Sequence, residues 1–333
     1  MKIFILGANG FIGNALVKKL LKKKINIIGF DRYHFNLVEI LKDKNFKFFK
    51  ENVFNNSKLI EKIIKKVDVV VPLIAIATPN VYVKDPLKIF KLDFEENLKI
   101  IKICAKYKKR IIFPSTSEVY GMNNEKKFDE YTSNLVLGPI LKNRWIYSCS
   151  KQLLDRVLIA LTEKKLIKST LFRPFNWIGP NLDTLKNAQV GNGRVLTIFI
   201  NNLIKNKNIY LVNGGKQKRS FTFIDDGIEA LEKIILGNKN YLNGRIFNIG
   251  NPKGNISIKD LCKRTIKIYN QLSINKYKGK IISTSEKNFY GNKYQDIKIR
   301  VPNIMRAKRE LKWSPKTNIE ESLIKTIKSY ITN

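Results

Sequence analysis

The segment Gly7-Ala8-Asn9-Gly10-Phe11-Ile12-Gly13 constrains the fold more than any other stretch, because it stands directly behind the apolar run 2–6 and in front of a helical pattern. Glycines spaced three apart let a strand turn sharply into a helix, and they let backbone N–H groups approach an anion that side chains would keep away. A helix starting at such a turn also presents its positive end there. A strand–turn–helix unit of this kind buries its strand only as one of several parallel strands covered by helices.

The rest of the chain predicts those partners. Apolar runs at 2–6, 25–30, 46–49, 67–73, 110–114 and 169–173 alternate with helical patterns, the rhythm of βαβ units. Two helices are long and well patterned: 86–107, with Pro86 in its first turn, and 147–164, with Leu153, Leu154, Val157, Leu158 and Leu161 assigned to one face. Beyond Pro174 the pattern breaks into glycine-rich loops and shorter elements that include 225–236, 257–269 and 319–330. The expected class is α/β: a Rossmann-type doubly wound parallel sheet over 1–173, and a smaller C-terminal lobe over 174–333 that binds substrate and returns some elements to the sheet. No internal repeat or low-complexity linker separates the two, so they are expected to pack together.

Composition narrows the class further. The 333 residues are 44% hydrophobic, enough for a substantial core. Cys104, Cys149 and Cys262 stand far apart with no CxxC spacing, which argues against a disulfide framework, and no metal cluster is expected. The apolar strand follows Met1-Lys2 directly, leaving no room for a secretory signal, and the longest apolar stretch, 67–77, is interrupted by Asp68 and Pro72. A cytoplasmic protein with no membrane insertion is the expectation. The formal net charge of +36 ordinarily raises nucleic-acid binding. Here the lysines are scattered in short runs such as Lys22-Lys23-Lys24 and Lys108-Lys109, without a basic stripe interleaved with aromatics, so a solvated surface is expected and no nucleic acid.

The glycine turn in this context points to a dinucleotide pyrophosphate held by Gly7, Asn9, Gly10, Phe11, Ile12 and Gly13. Its G-x-x-G-x-x-G spacing is the short-chain dehydrogenase form. Asp31, at the end of the second strand, is placed to accept from the adenosine ribose hydroxyls and to repel a 2′-phosphate, which favours NAD over NADP. The neighbouring Arg32 argues mildly the other way. Tyr147 and Lys151 lie four residues apart, hence on one helix face. A tyrosine with a pKa of about 10 becomes a useful base at neutral pH only beside a cation, and Lys151 supplies one. The fifth strand ends in Ser115-Thr116-Ser117-Glu118, at the carboxyl edge of the sheet, where Thr116 or Ser117 is placed to hydrogen-bond a reacting hydroxyl. The basic side chains Lys216, Lys218 and Arg219 suit a diphosphate, and Arg144 suits a carboxylate.

The chain resembles the UDP-glucuronic acid decarboxylases among the extended short-chain dehydrogenases. The resemblance rests on the runs 113–121 (Phe-Pro-Ser-Thr-Ser-Glu-Val-Tyr-Gly), 144–152 (Arg-Trp-Ile-Tyr-Ser-Cys-Ser-Lys-Gln), 172–177 (Phe-Arg-Pro-Phe-Asn-Trp) and 214–219 (Gly-Gly-Lys-Gln-Lys-Arg), with 75–79 and 93–97, and it covers essentially the whole chain. It implies oxidation of UDP-glucuronic acid at C4 by NAD, loss of C6 as carbon dioxide, and release of a UDP-4-keto-pentose and NADH, feeding 4-amino-4-deoxy-L-arabinose modification of lipid A. It further implies that Glu118 is a proton acceptor and Arg300 a proton donor, that Asn52 lies near the adenine, and that Ala77, Tyr82, Arg144, Asn176, Tyr294 and the segment Tyr210 to Arg219, including Gln217, bind substrate. Arginine, with a pKa above about 12, is a weak acid for that task. Asn52 stands where the family has aspartate and Tyr210 where it has lysine. Bifunctional members carry a formyltransferase domain ahead of this one; none precedes Met1, so a second activity is not expected. The alternative within the class is a UDP-xylose synthase or 4-epimerase that retains NADH. A binding protein that kept the fold and lost the chemistry finds no support in residues that are all present. A homo-oligomer is the default for enzymes of this class.

Overall fold

The strand Lys2–Leu6 (β1) sends Ile3 and Ile5 to one face and Phe4 and Leu6 to the other, and all four are fully buried. A strand apolar on both faces belongs in the interior of a covered sheet. The computed structural model, which describes residues 1–332, places it there. With Asn26–Asp31 (β2), Phe46–Lys50 (β3), Val69–Pro72 (β4), Arg110–Pro114 (β5), Lys168–Pro174 (β6) and Arg245–Ile249 (β7), it forms a seven-stranded sheet in the order β7-β6-β5-β4-β1-β2-β3. Every pairing in it is parallel. Register is fixed by facing apolar pairs such as Phe4 with Ile28 and Phe4 with Val70.

Apolar side chains form two layers. One joins Phe4, Leu6, Ile28, Phe30 and Val70 to the helices Ser57–Ile64, Asn97–Lys106 and Trp145–Glu163. The other joins Ile3, Ile5 and Val71 to the helix Phe11–Leu21 and to the C-terminal helices Val195–Ile204, Ile224–Leu236, Ile258–Leu272 and Ile319–Ile331. The sheet is therefore doubly wound, and the order of strands reverses between β1 and β4, where α/β sheets open a crevice for ligands.

The six expected strands form, 2–6 and 110–114 as expected and the others with ends shifted by one or two residues. The seventh comes from beyond Pro174, where the glycine-rich rhythm hides it. The helix expected over 86–107 is interrupted. Pro86–Ile89 runs into a π-helical segment, Phe90–Glu96, before Asn97–Lys106 resumes the α-helix. The Asn97 amide donates to the carbonyls of Ile74, Leu92 and Asp93 at 3.1–3.3 Å, taking up groups that a widened turn leaves free. The apolar face expected of 147–164 also needs correction, since Leu153 is 47% exposed. The buried face of Trp145–Glu163 carries Tyr147, Ser148, Lys151, Leu154, Asp155, Leu158 and Thr162, so much of it is polar.

Candidate active site

The turn after β1 is closed by contacts that only glycine permits. Gly7 has φ +79°, and a Cβ there would stand 2.6 Å from the Leu73 carbonyl oxygen; at Gly13 a Cβ would collide with the Gly7 carbonyl. The helix Phe11–Leu21 starts at Gly10 with no side-chain cap and no acidic residue in its first turn. Its leading N–H groups therefore remain available to an anion. Phe11 is buried beneath the Arg194 guanidinium, 4.9 Å from its ring centre, and Ile12 is half-buried. Asp31 ends β2 and accepts from the backbone N–H of Asn9 at 3.0 Å and of Tyr33 at 3.2 Å. Burial raises its pKa against those hydrogen bonds. Sequence reasoning missed Asn36, which donates through Nδ2 to the Asn9 carbonyl and through its backbone N–H to Asn9 Oδ1, both at 2.8 Å. Asn52 is occupied locally, its Oδ1 accepting from Phe54 N–H at 3.2 Å as a helix cap.

A second group of candidates meets at the carboxyl edge of β5. Thr116 caps the short helix Ser117–Tyr120 by accepting from the Glu118 N–H at 3.2 Å. Glu118 is clamped between two arginines: Arg144 Nη1 donates to its Oε2 and Arg300 Nη1 to its Oε1, each at 2.5 Å, and Arg300 also reaches Ser117 Oγ at 3.3 Å. Burial pushes the Glu118 carboxyl up, but the charges of Arg144 and Arg300 outweigh it and hold the group at about 2. Both guanidiniums are buried, and the Nε of each lacks a hydrogen-bond partner.

Tyr147 is also buried and stacks on Tyr82 with ring centres 4.9 Å apart and planes 11° from parallel. Burial, then the charges of Asp93 and Glu118, push its phenol well above the ordinary value, while Thr116 and Arg300 oppose the rise. Lys151, one turn along the helix, has no exposure and no hydrogen-bond partner for Nζ, which lies 4.9 Å from the Phe113 ring centre. Burial lowers its pKa, opposed by Asp93 and Asp155. A buried ammonium with unused donors is a costly feature for stability alone, and it suits a ligand bearing hydroxyl groups. The glycine turn, Asp31 and Lys151 together fit a dinucleotide.

The remaining candidates divide. Tyr294 is buried, lies 5.6 Å by its ring centre from the Arg144 guanidinium, and hydrogen-bonds Asp296 at 3.2 Å. Asn176 takes a left-handed backbone (φ +40°) and has an unpartnered buried Nδ2. Arg219 is buried but engaged, donating to Asp296 at 2.6 Å and to the Ile297 carbonyl at 2.7 Å. Ala77, Tyr210, Lys216 and Lys218 are exposed, and Gln217 is half-buried. A polar network behind the centre was not read from the sequence: Asp155 accepts from Ser115 at 2.7 Å and Arg173 at 3.1 Å, and Arg173 continues to the Tyr120 hydroxyl at 3.0 Å. Ser115, Tyr120 and Arg173 lie inside the motifs above and Asp155 just past one of them, but no spacing rule links the four.

Among the described residues no group of His, Cys, Asp and Glu is arranged to hold a metal ion, and no helix is long and apolar enough to cross a membrane. The model of the NAD dependent epimerase/dehydratase family matches residues 3–250. The chain is similar to the PbgP3 protein from Burkholderia pseudomallei at 41% identity and TM-score 0.90, covering 100% of this chain and 96% of that one. It shares the fold of the UDP-glucuronic acid 4-epimerase from Bacillus cereus, crystallised with UDP-glucuronic acid and NAD (23% identity, TM-score 0.82, covering 100% and 99%). It shares it also with the dTDP-glucose 4,6-dehydratase from Bacillus anthracis, in complex with NAD (22%, 0.81, 100% and 97%). Extent of match, sheet order and glycine turn agree: this chain belongs to the NAD dependent epimerase/dehydratase family.

Proposed function

We propose that this chain oxidises UDP-glucuronic acid at C4 and decarboxylates the product, giving a UDP-4-keto-pentose, carbon dioxide and NADH. The observation that carries the reading is the clamp around Glu118. Two buried guanidiniums face one buried carboxylate, leaving one positive charge unmatched and two Nε–H donors unused. A buried charge of this kind calls for an anionic partner. The C6 carboxylate of a uronic acid supplies that charge; the hydroxymethyl group of an ordinary hexose does not.

In this reading the glycine turn, Asp31 and Lys151 hold NAD, which when bound serves as the hydride acceptor. Tyr147 takes the proton of the C4 hydroxyl, with Lys151 supplying the positive charge that favours its phenolate and Thr116 and Ser117 orienting the hydroxyl. Oxidation at C4 makes the carboxylate a β-keto acid. Its C5–C6 bond then breaks with the electron pair moving into the new carbonyl, and the resulting enolate takes a proton at C5. In the same reading Arg300, 2.5 Å from Glu118, stabilises that enolate or donates through a water. Glu118, held at about 2, stays ionised throughout and fixes both arginines, a role better matched to its chemistry than that of a base. Arg219, Tyr294 and Asn176 are assigned to the nucleotide-sugar, and the keto-pentose is assigned to the aminopentose modification of lipid A.

The test is incubation of the protein with UDP-glucuronic acid and NAD. NADH and carbon dioxide accumulating together, one per sugar consumed, support the decarboxylase. Sugar converted without NADH in solution assigns instead the retained-cofactor reaction of an epimerase or xylose synthase.

A further inference from the structure

We propose that Asp93 is the counter-charge of Lys151: a positioning residue in the π-helical turn whose carboxylate keeps the buried ammonium protonated beside Tyr147. The inference rests on the assignment of Tyr147 and Lys151 above.

Three observations carry it. Asp93 has no exposure, yet only one of its carboxylate oxygens is satisfied: Oδ2 accepts from the Ile76 N–H at 3.1 Å, and Oδ1 has no partner. Lys151 Nζ, equally buried, has none either. The π turn packs against the helix that carries Lys151, and the two charges act on each other with no ion pair between them, which leaves one acceptor and one donor free for a bridging hydroxyl or water. Second, the turn that delivers Asp93 is built for the purpose. The widened segment Phe90–Glu96 displaces the register of the helix, and Asn97 ties it to the Ile74 carbonyl in the loop after β4. Third, the other charges near Lys151 are spoken for. Asp155, on the same helix, is held by Ser115 and Arg173, and Glu96 pairs with Lys99. Around Tyr147 the charged and titratable neighbours are Tyr82, Glu118 and Arg300, of which the last two bind each other. Asp155 also leaves its Oδ1 unpartnered, but its charge is met by Arg173, whereas Asp93 has no ion-pair partner and Lys151 is the one opposite charge acting on it. Burial pushes its carboxyl up to about 7, opposed by the Lys151 charge, a condition that costs stability and that nothing in the packing requires.

Asp93→Asn removes the charge and keeps an acceptor for the Ile76 N–H. Above about pH 7 the parent carboxyl is ionised and raises the affinity of Lys151 for its proton. The variant is therefore expected to lose NADH formation at lower pH on the alkaline side, by about one unit or more, while the acid side holds because the parent Asp93 is neutral there. Binding of NAD without any sugar, followed by calorimetry across the same pH range, should show the same displacement. An alkaline limb and a binding profile superimposable on the parent's overturn the proposal, whatever the turnover number. If the parent makes no NADH from UDP-glucuronic acid, the substrate reading fails while the sugar-free titration still decides the role of Asp93. Asp93→Ser, smaller and uncharged, repeats both measurements if the amide variant does not fold.

Discussion

Tyr147 sits where its own ionisation is opposed, by burial and by two neighbouring carboxylates, so the role of base proposed for it depends on the cation one helical turn away, Lys151. Tyr147→Phe keeps the ring and its stack on Tyr82. Oxidation of the sugar is expected to fall by about 10²–10⁴-fold, with NAD affinity changed only a few-fold, by single-turnover NADH absorbance and calorimetry. Glu118 makes a prediction about stability. Its carboxyl is a stronger acid in the folded chain, at about 2, than at its ordinary 4.5. The stabilisation it lends is present above pH 4.5 and is lost as pH falls toward 2, on the order of 3 kcal/mol over that window. Glu118→Gln should flatten the parent's decline between those values in urea titrations at stepped pH. An equally steep decline in the variant would sink the idea that the two arginines act chiefly on an ionised Glu118.

At the scale of elements, what the sequence disclosed follows from how each element is stabilised. β1, β4 and β5 were legible because strands buried on both faces read as nearly continuous apolar runs, whereas β3, at the sheet edge, shows only through Phe46, Phe48 and Phe49 between lysines. β7 was not, since Arg245–Ile249 completes a sheet whose other strands lie more than seventy residues earlier, and only the finished edge at β6 selects it. The glycine turn was legible from its spacing and its place between an apolar run and a helical pattern, because its contacts are steric and local. The π turn at Phe90–Glu96 was not, because it is held by the Asn97 amide and the loop after β4, which meet only in the fold. The helix Trp145–Glu163 disclosed Tyr147 and Lys151 but misplaced Leu153, because its buried face holds Lys151 and Asp155 where a hydrophobic pattern expects leucine. The glycine turn yields the test here. In Gly13→Ala the new methyl group meets the Gly7 carbonyl, and relief requires the backbone of the turn itself to move. A loss of roughly 1–3 kcal/mol of stability is expected from overpacking of this kind, read as a lower melting temperature, with NAD binding weakened at least about tenfold. Unchanged affinity would mean that the turn is not where the pyrophosphate sits.

At the scale of the whole molecule, the parts before and after Pro174 share one core. β7 pairs along its full length with β6, from Thr170–Arg245 to Pro174–Ile249. Arg110, on β5, donates to the last carbonyls of the helix Ile224–Leu236, at 2.6 Å to Ile234 and 2.9 Å to Ile235. The proposed reaction centre is divided the same way, with Glu118 and Arg144 from the first part and Arg300 from the second. Leu16, Val17 and Leu20 of the helix Phe11–Leu21 lie in the same apolar layer as Ile228, Leu231, Trp313 and Ile327. Removing the second part returns that face to water at about 1.5–3 kcal/mol for each large side chain, and Ile3, Ile5, Leu16, Val17, Leu20 and Phe172 together carry an energy of the same size as the roughly 5–15 kcal/mol that stabilises a domain. A fragment of residues 1–173 should therefore show no cooperative transition in urea by circular dichroism, while the full chain unfolds in one step. A sigmoidal transition of the isolated fragment would instead establish the sheet as an independent unit, with Arg300 delivered to Glu118 by docking of a separate lobe rather than by folding of a common core.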